Sequence, residues 1–187
     1  MLNALKEKAH TWAVGHGFYE EVKPDAFYLG LVMSEAGEAI NADRKGIHAD
    51  TKRFEEVMAM RCISPRVAFE EKIKDSVEDE ISDIVIRLLD FAGLKRYGLC
   101  YERNYEFTNP VFWVLEHEGL SSALFQLNYA LGIAYDRDRL EEGISRFIMI
   151  CSECFGMMTG SDKDLWWFVE QKMRYNDLKP RLNGKKY

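Results

Sequence analysis

Apolar residues recur with helical spacing through almost the whole chain of 187 residues, and no two segments alternate as neighbouring strands would. The four prolines, Pro24, Pro65, Pro110 and Pro180, lie outside the interior of every long periodic segment, and the glycines fall mostly at segment ends. Proline breaks a helix from within, whereas glycine commonly ends one. The pattern therefore predicts an all-α fold.

Start and stop signals divide the chain into six long helices. Proline at the first helical position marks two starts, near Pro24 and Pro110, and glycine marks the ends near Gly46, Gly98 and Gly132. The predicted helices cover about 2–14, 25–45, 68–97, 110–131 and 137–158, with a sixth that follows a cap at Ser161 and ends near 176. The polar connection over 47–65 has room for a short helix of its own.

Two stretches of the chain, residues 80–93 and 143–156, align without gaps, and both end in glycine. A helical hairpin that occurs twice predicts a four-helix-bundle core, with additional N- and C-terminal helices, in a single domain of residues 1–187. In the second copy, Gly143 and Arg146 replace Glu80 and Asp83. Acidic chemistry is therefore expected in the first half only.

The composition excludes two classes of partner. The net charge of −6 argues against a general nucleic-acid binder, since neutralising phosphates requires a basic surface. No run of eighteen apolar residues occurs, so we expect no membrane span, and no signal-peptide pattern begins the chain, so we expect a cytoplasmic protein. Phosphate substrates remain compatible with an acidic site when a divalent cation lies between the two.

Four cysteines occur, and Cys151 and Cys154 form a Cys-x-x-Cys inside an apolar helical stretch. No second cysteine pair completes a structural zinc site. Because free cysteine is commonly a small buried residue, these two are interpreted as core residues and not as a metal or redox motif.

Two pairs of carboxylates interrupt apolar helix faces. Glu35 and Glu38 lie three residues apart in the second predicted helix, and Glu80 and Asp83 repeat this spacing in the third. Residues three apart are neighbours on one helical face. Since both faces are otherwise apolar, all four carboxylates are expected to point toward the interior of the bundle.

Inward carboxylates cannot remain together without a counter-ion, because like charges at close range raise each other's energy. No lysine or arginine lies on the same face within either motif, which points to a divalent cation. Ligands that are all oxygen favour Mg²⁺, Mn²⁺ or Ca²⁺ over zinc or copper. A di-iron site would need two Glu-x-x-His motifs in core helices, and Glu7-x-x-His10 is a single terminal one. The alternative is that both acidic pairs are solvated helix faces.

These motifs resemble the MazG-like and dimeric-dUTPase superfamily of all-α nucleotide pyrophosphohydrolases. The similarity consists of Glu-x-x-Glu on one helix, Glu-x-x-Asp on the next with the sequence that follows it, and a closing Lys-x-x-x-Asn with a basic tail. It implies Mg²⁺-dependent hydrolysis of a nucleoside triphosphate to the monophosphate and pyrophosphate, with Mn²⁺ as an alternative ion.

The resemblance also implies roles for individual residues. Metal binding falls to Glu35, Glu38, Glu80 and Asp83, with either Glu35 or Glu38 as the general base. Lys172 and Asn176, four residues apart on one face, are expected to contact phosphates, and the tail cations Arg181, Lys185 and Lys186 to close over them. For Lys172 a solvated helix terminus is the alternative, and each of the three tail cations has the alternative role of an ordinary solvated residue.

Several alternatives stay open at this stage. Trp12, Phe18, Tyr19, Phe27 and Tyr28 are available to stack on a nucleobase, although packing in the core is the commoner role for aromatic residues. A helical bundle that binds a nucleotide or metal without turnover would carry the same motifs. A purely structural dimerisation module is a third reading. A duplicated bundle can stand alone, but the resemblance favours a homodimer.

Overall fold

The structure is a computed structural model that describes residues 1–21, 23–60, 63–100 and 105–180. All regular structure within these residues is helical, which confirms the predicted all-α fold. The helices are α1 Leu2–Gly15, α2 Asp25–Lys45, α3 Thr51–Met60, α4 Pro65–Lys72, α5 Val77–Leu94, α6 Tyr105–His117, α7 Leu120–Asp136, α8 Leu140–Thr159 and α9 Leu165–Asn176. Each of them is too short or too polar to cross a lipid bilayer.

Four helices form a closed ring of neighbours at the centre of the fold. Helix α2 packs on α5, α5 on α8, α8 on α7, and α7 back on α2. Helices α1 and α9 pack against the outer side of α5, and α6 packs against α7 and α8. Ile81, Ile84, Leu88 and Leu89 of α5 are completely buried. Because neighbouring helices cover α5 on most sides, several of its polar side chains are buried along with its apolar ones.

The long helix predicted over 68–97 is in fact two helices, α4 and α5. Asp75 adopts a left-handed conformation with φ of 62°. Ser76 then caps α5, because its side chain accepts a hydrogen bond from the backbone N–H of Asp79 at 3.2 Å. A capping serine and a positive φ end one helix and begin another, which the apolar periodicity alone did not reveal.

The fourth predicted helix is also divided. Gly119, with φ of 86°, separates α6 from α7. Pro110 lies inside α6 and not at its first position, and α7 continues past Gly132 to Asp136. An exposed glycine inside a helix is tolerated when the residues after it continue the apolar face, so Gly132 is a poor end signal here.

Other predicted helix boundaries agree more closely with the structure. The connection over 47–65 carries α3, and the last helix ends at Asn176 as expected, although its cap is Asp164 and not Ser161. Helices α5 and α8 begin at Val77 and Leu140, an offset of 63 residues that equals the offset between the two aligned stretches. The helix starts therefore support the internal repeat.

The two cysteines of the Cys-x-x-Cys are core residues, as predicted. Cys151 and Cys154 are both fully buried in α8. Burial raises the pKa of the Cys154 thiol to about 12 and raises that of Cys151 as well. Two fully buried, protonated thiols agree with the role of small core residues. Cys62 lies outside the described residues.

Gly93 allows α1 to approach α5 closely. A Cβ atom added at Gly93 would lie 2.4 Å from Cβ of His10. Gly93→Ala should therefore lower the free energy of unfolding by about 1–3 kcal/mol, as overpacking does. Gly30→Ala is the matched control, because a Cβ at Gly30 of α2 meets nothing within 4 Å and alanine favours the helix. Urea unfolding of both variants measures the difference; equal stability would refute the close contact.

Candidate functional site

Both predicted acidic motifs open into one cleft of about 440 Å³, a volume typical of small-molecule sites. Helices α1, α2, α5 and α9 form its walls. We call it the acidic cleft. The charged side chains that line it are Glu35, Glu38, Arg66, Lys74, Asp75, Glu80, Asp83, Arg87, Asp90, Lys172 and Lys179.

Three of the four predicted metal ligands converge. One carboxylate oxygen from each of Glu35, Glu38 and Glu80 lies within 4.8 Å of the other two. Glu35 and Glu80 are buried, whereas Glu38 is exposed. The expectation that Glu38 points into the interior is therefore wrong. A step of three residues turns about 60° around the helix, which is enough to take Glu38 off the buried stripe to the mouth of the cleft.

Asp83, the fourth predicted ligand, lines the same cleft but forms an ion pair. Its Oδ2 lies 2.6 Å from Nζ of Lys172 on α9. The same ammonium donates to both carboxylate oxygens of Asp79 at 2.8 Å. Asp83 thus lies beside the three converging glutamates while an internal cation offsets its charge.

No lysine or arginine lies within either acidic motif, but two cations from outside the motifs pair with these carboxylates. Arg87 lies one turn beyond Asp83 on α5, and its Nε donates to Oε1 of Glu35 at 3.0 Å. Lys172 comes from another helix entirely. Arg87 could have been found from the sequence, since residues 80, 83 and 87 follow helical spacing, but the pairing with Lys172 requires the tertiary fold.

Lys172 and Asn176 lie where both can reach the cleft. Lys172 is only 4% exposed, so the solvated-terminus alternative is wrong. Burial disfavours its charge, but Asp83 and Asp79 outweigh this effect and raise the pKa of Lys172. Asn176 is 6% exposed, and its Oδ1 has no hydrogen-bond partner among the described residues. Arg181, Lys185 and Lys186 lie outside the described residues.

Asp79 is a component of the site that the sequence did not single out. It is 1% exposed, and one of its oxygens also accepts from the backbone N–H of Asp75 at 3.1 Å. Oxygens of Asp75, Asp79 and Glu80 form a second group within 4.8 Å. Asp79 therefore connects Lys172 in the acidic cleft to the turn before α5.

Glu80 is the most strongly perturbed of the predicted ligands. Burial, together with the neighbouring Asp83 and Asp79, raises the pKa of Glu80 to about 8 against the opposing effect of Lys172. Burial, together with Asp83, also raises the pKa of Glu35, and Arg87 opposes the shift. Both shifts mean that the site disfavours the charged carboxylates, which a bound cation would stabilise.

This perturbation predicts how stability depends on pH without metal. The folded state binds the Glu80 proton more tightly than the unfolded state, whose pKa is near 4.5. Its contribution is therefore complete below about pH 4.5 and is lost as pH rises through about 8. In EDTA, the melting temperature of wild type should fall relative to that of Glu80→Gln between pH 5 and pH 8. Parallel curves for the two proteins would contradict the shift.

The end of the cleft nearest α1 is apolar and aromatic. Trp12 and Phe18 line it, whereas Tyr28 is buried in the core against Phe91. The indole Nε1 of Trp12 is buried and has no hydrogen-bond partner among the described residues. Of the two roles considered for these aromatic residues, stacking on a base remains open to Trp12 and Phe18, which line the cleft. Tyr28 has the other role, because it packs in the core.

A hydrogen-bonding pair lies beside this aromatic end. Nδ1 of His10 is 2.9 Å from Oδ1 of Asp90, and Asp90 lines the cleft. Neither residue was expected to belong to the site. They follow from the close approach of α1 to α5 at Gly93, which no local sequence signal indicated.

The three converging glutamates fit a hard divalent cation. The three oxygens lie within 4.8 Å of one another, and oxygens on opposite sides of an octahedral Mg²⁺ are about 4.2 Å apart, so at most a small side-chain rotation would place all three on one ion. An all-oxygen donor set suits Mg²⁺ or Mn²⁺. The lining has six carboxylates and five cationic side chains, a formal charge of −1. A bound divalent cation would make the cleft net positive, which suits a polyphosphate.

Comparisons with protein-family models, with curated proteins and with solved structures found no match to this chain. Its chemistry is therefore inferred from the side chains that line the acidic cleft.

Proposed function

We propose that the chain is a Mg²⁺-dependent nucleoside triphosphate pyrophosphohydrolase, which uses water to cleave between the α- and β-phosphates and releases the monophosphate and pyrophosphate. The observation that supports this most directly is the convergence of Glu35, Glu38 and Glu80 in a cleft that also holds cations and an aromatic end. The carboxylates suit a metal ion, the cations suit the phosphates, and the aromatic end suits the base of a nucleotide.

The environment of each carboxylate suggests its role in metal binding or in proton transfer. Glu35, Glu38 and Glu80 would hold the ion, with Asp83 beside them, and Mn²⁺ would serve in the same place. When bound, the divalent ion would neutralise phosphate charge and lower the pKa of a bound water. Glu38 is exposed and beside the other two, which suits a general base that accepts a proton from water. Arg87 holds Glu35 in place through its hydrogen bond, which leaves Glu35 a less mobile base.

The phosphates would extend toward α9. Lys172 keeps its charge but is engaged by Asp79 and Asp83, so its main effect on phosphate is electrostatic. A half-turn of the Asn176 amide exchanges the unpaired Oδ1 for Nδ2, a donor suited to a phosphate oxygen. Arg66, Lys74 and Lys179 supply further positive charge along this wall.

The base would occupy the aromatic end. Trp12 Nε1 can donate to a carbonyl oxygen of the base, and Phe18 supplies apolar surface beside it. The pair of His10 and Asp90 offers a carboxylate oxygen to an amino or hydroxyl group.

The decisive experiment is a panel of ribo- and deoxynucleoside triphosphates incubated with the protein and Mg²⁺. We expect pyrophosphate, detected as phosphate only after inorganic pyrophosphatase is added, together with an equal amount of monophosphate. Release of phosphate without the added pyrophosphatase would indicate stepwise cleavage and contradict the proposal.

Binding without turnover would favour the non-catalytic alternative. Isothermal titration with a non-hydrolysable triphosphate detects such binding in the same samples. The expected homodimer stays a prediction, which light scattering of the purified chain tests.

A further inference from the structure

A second cleft, of about 310 Å³, lies in the other half of the bundle between α7 and α8, with α6 at its side. We call it the α7–α8 cleft. Its inner wall is apolar, with Leu127, Leu131, Phe147 and Ile150. A Cβ atom at Gly143 would lie 2.6 Å from Cβ of Ala134, so this glycine allows α8 to approach α7 at the bottom of the cleft.

The internal repeat relates the two clefts. With the offset of 63 residues, Glu80, Asp83 and Arg87 on α5 correspond to Gly143, Arg146 and Ile150 on α8. All six of these residues line their respective clefts. The α7–α8 cleft therefore occupies the register of the acidic cleft, with its acidic groups replaced by a glycine and a cation.

The rim of this cleft is positive although the chain is acidic. Arg137, Arg139 and Arg146 line it with one carboxylate, Glu142, which gives a formal charge of +2. Glu142 pairs with both Arg139 and Arg146. In a chain of net charge −6, this local sign favours anions.

We propose that the α7–α8 cleft binds a small organic carboxylate, whose apolar body enters the cleft and whose charged group contacts the arginines of the rim. Guanidinium groups bind planar carboxylates through paired hydrogen bonds, and an apolar wall gives affinity to an aliphatic or aromatic body. Because the arginines of the rim supply the positive charge themselves, we expect this binding without Mg²⁺.

The test uses the fluorescent anion 8-anilinonaphthalene-1-sulfonate with the full chain in EDTA. One saturable site is expected, from which octanoate displaces the probe and 1-octanol at the same concentration does not. Replacing Arg137 and Arg146 together by Gln should weaken probe binding roughly tenfold or more, as the loss of charged hydrogen bonds does. The control with Arg44→Gln and Arg53→Gln removes the same charge from exposed positions elsewhere and should leave binding unchanged.

A second variant guards against unfolding of the first. Ala130 lines the cleft from an exposed position on α7, so Ala130→Trp should block the probe while the melting temperature stays that of wild type. Phe125 and Tyr129 are exposed apolar residues outside the cleft lining, and replacing both by Ser should not change binding.

Three outcomes would overturn the proposal. The first is equal affinity in the double arginine variant and wild type, and the second is displacement by octanol as effective as that by octanoate. The third is loss of probe binding as a dimer forms with increasing protein concentration in light scattering, because a second copy would then cover the cleft.

Discussion

Glu38→Gln is expected to reduce Mg²⁺-dependent pyrophosphate release by about a thousandfold or more, because it removes both a metal ligand and the best-placed general base. Glu38 is exposed, so the folded chain should tolerate the change. The variant should also lose most of the gain in melting temperature that Mg²⁺ gives the wild type through preferential binding to the folded state.

Calorimetric melting with Mg²⁺ and with EDTA, beside the pyrophosphate assay, measures both effects. Glu116→Gln removes another exposed carboxylate, at the end of α6 and outside the acidic cleft, and should behave as wild type. If Glu38→Gln kept full turnover, Glu38 would have no catalytic role. If wild type gained no stability from Mg²⁺, the converging carboxylates would not form a metal site.

Lys172→Met should destabilise the chain by about 3–5 kcal/mol in EDTA, the loss typical when one partner of a buried ion pair is removed. The side chains of Lys172 and Asp79 are 5% and 1% exposed, and Asp83 depends on the same ammonium. The uncompensated Asp79 carboxylate, not the lost attraction, would dominate this effect.

A double-mutant cycle separates these contributions. Asp79→Asn combined with Lys172→Met should recover much of the stability lost in Lys172→Met alone, as measured by urea unfolding. Lys163→Met serves as the control, since it removes a lysine whose ion pair with Glu55 is far more accessible to solvent and should change the unfolding midpoint much less. A loss as small as that of the control would show that the buried pair is not formed.

The acidic pairs could be predicted because each depends on one helix. Spacing of three residues on an apolar face places Glu35 beside Glu38, and Glu80 beside Asp83, whatever surrounds them. The spacing of residues along a helix could not predict how deeply each carboxylate is buried. Glu38 leaves the buried stripe by a small rotation about the helix, a difference decided by how α2 meets α5.

The cations and the aromatic end depend on contacts between helices and could not be derived locally. Lys172 is 93 residues from Asp79 in the chain, and only the packing of α9 on α5 brings them together. Trp12 and Asp90 share a cleft because Gly93 lets α1 approach. The repeat, in contrast, was visible in the sequence and is supported by the common offset of α5 and α8.

The turn at Asp75 determines the electrostatic setting of the acidic cleft. Because α5 begins at Val77, the consecutive acids Glu78, Asp79 and Glu80 occupy its first turn. Unpaired backbone N–H groups make this end of a helix partly positive and stabilise a nearby carboxylate by about 0.3–1 kcal/mol. Had α4 and α5 formed one continuous rod, the same three acids would lie at its middle without this field. The interruption thus lowers the energy of placing three acidic side chains at the buried start of α5.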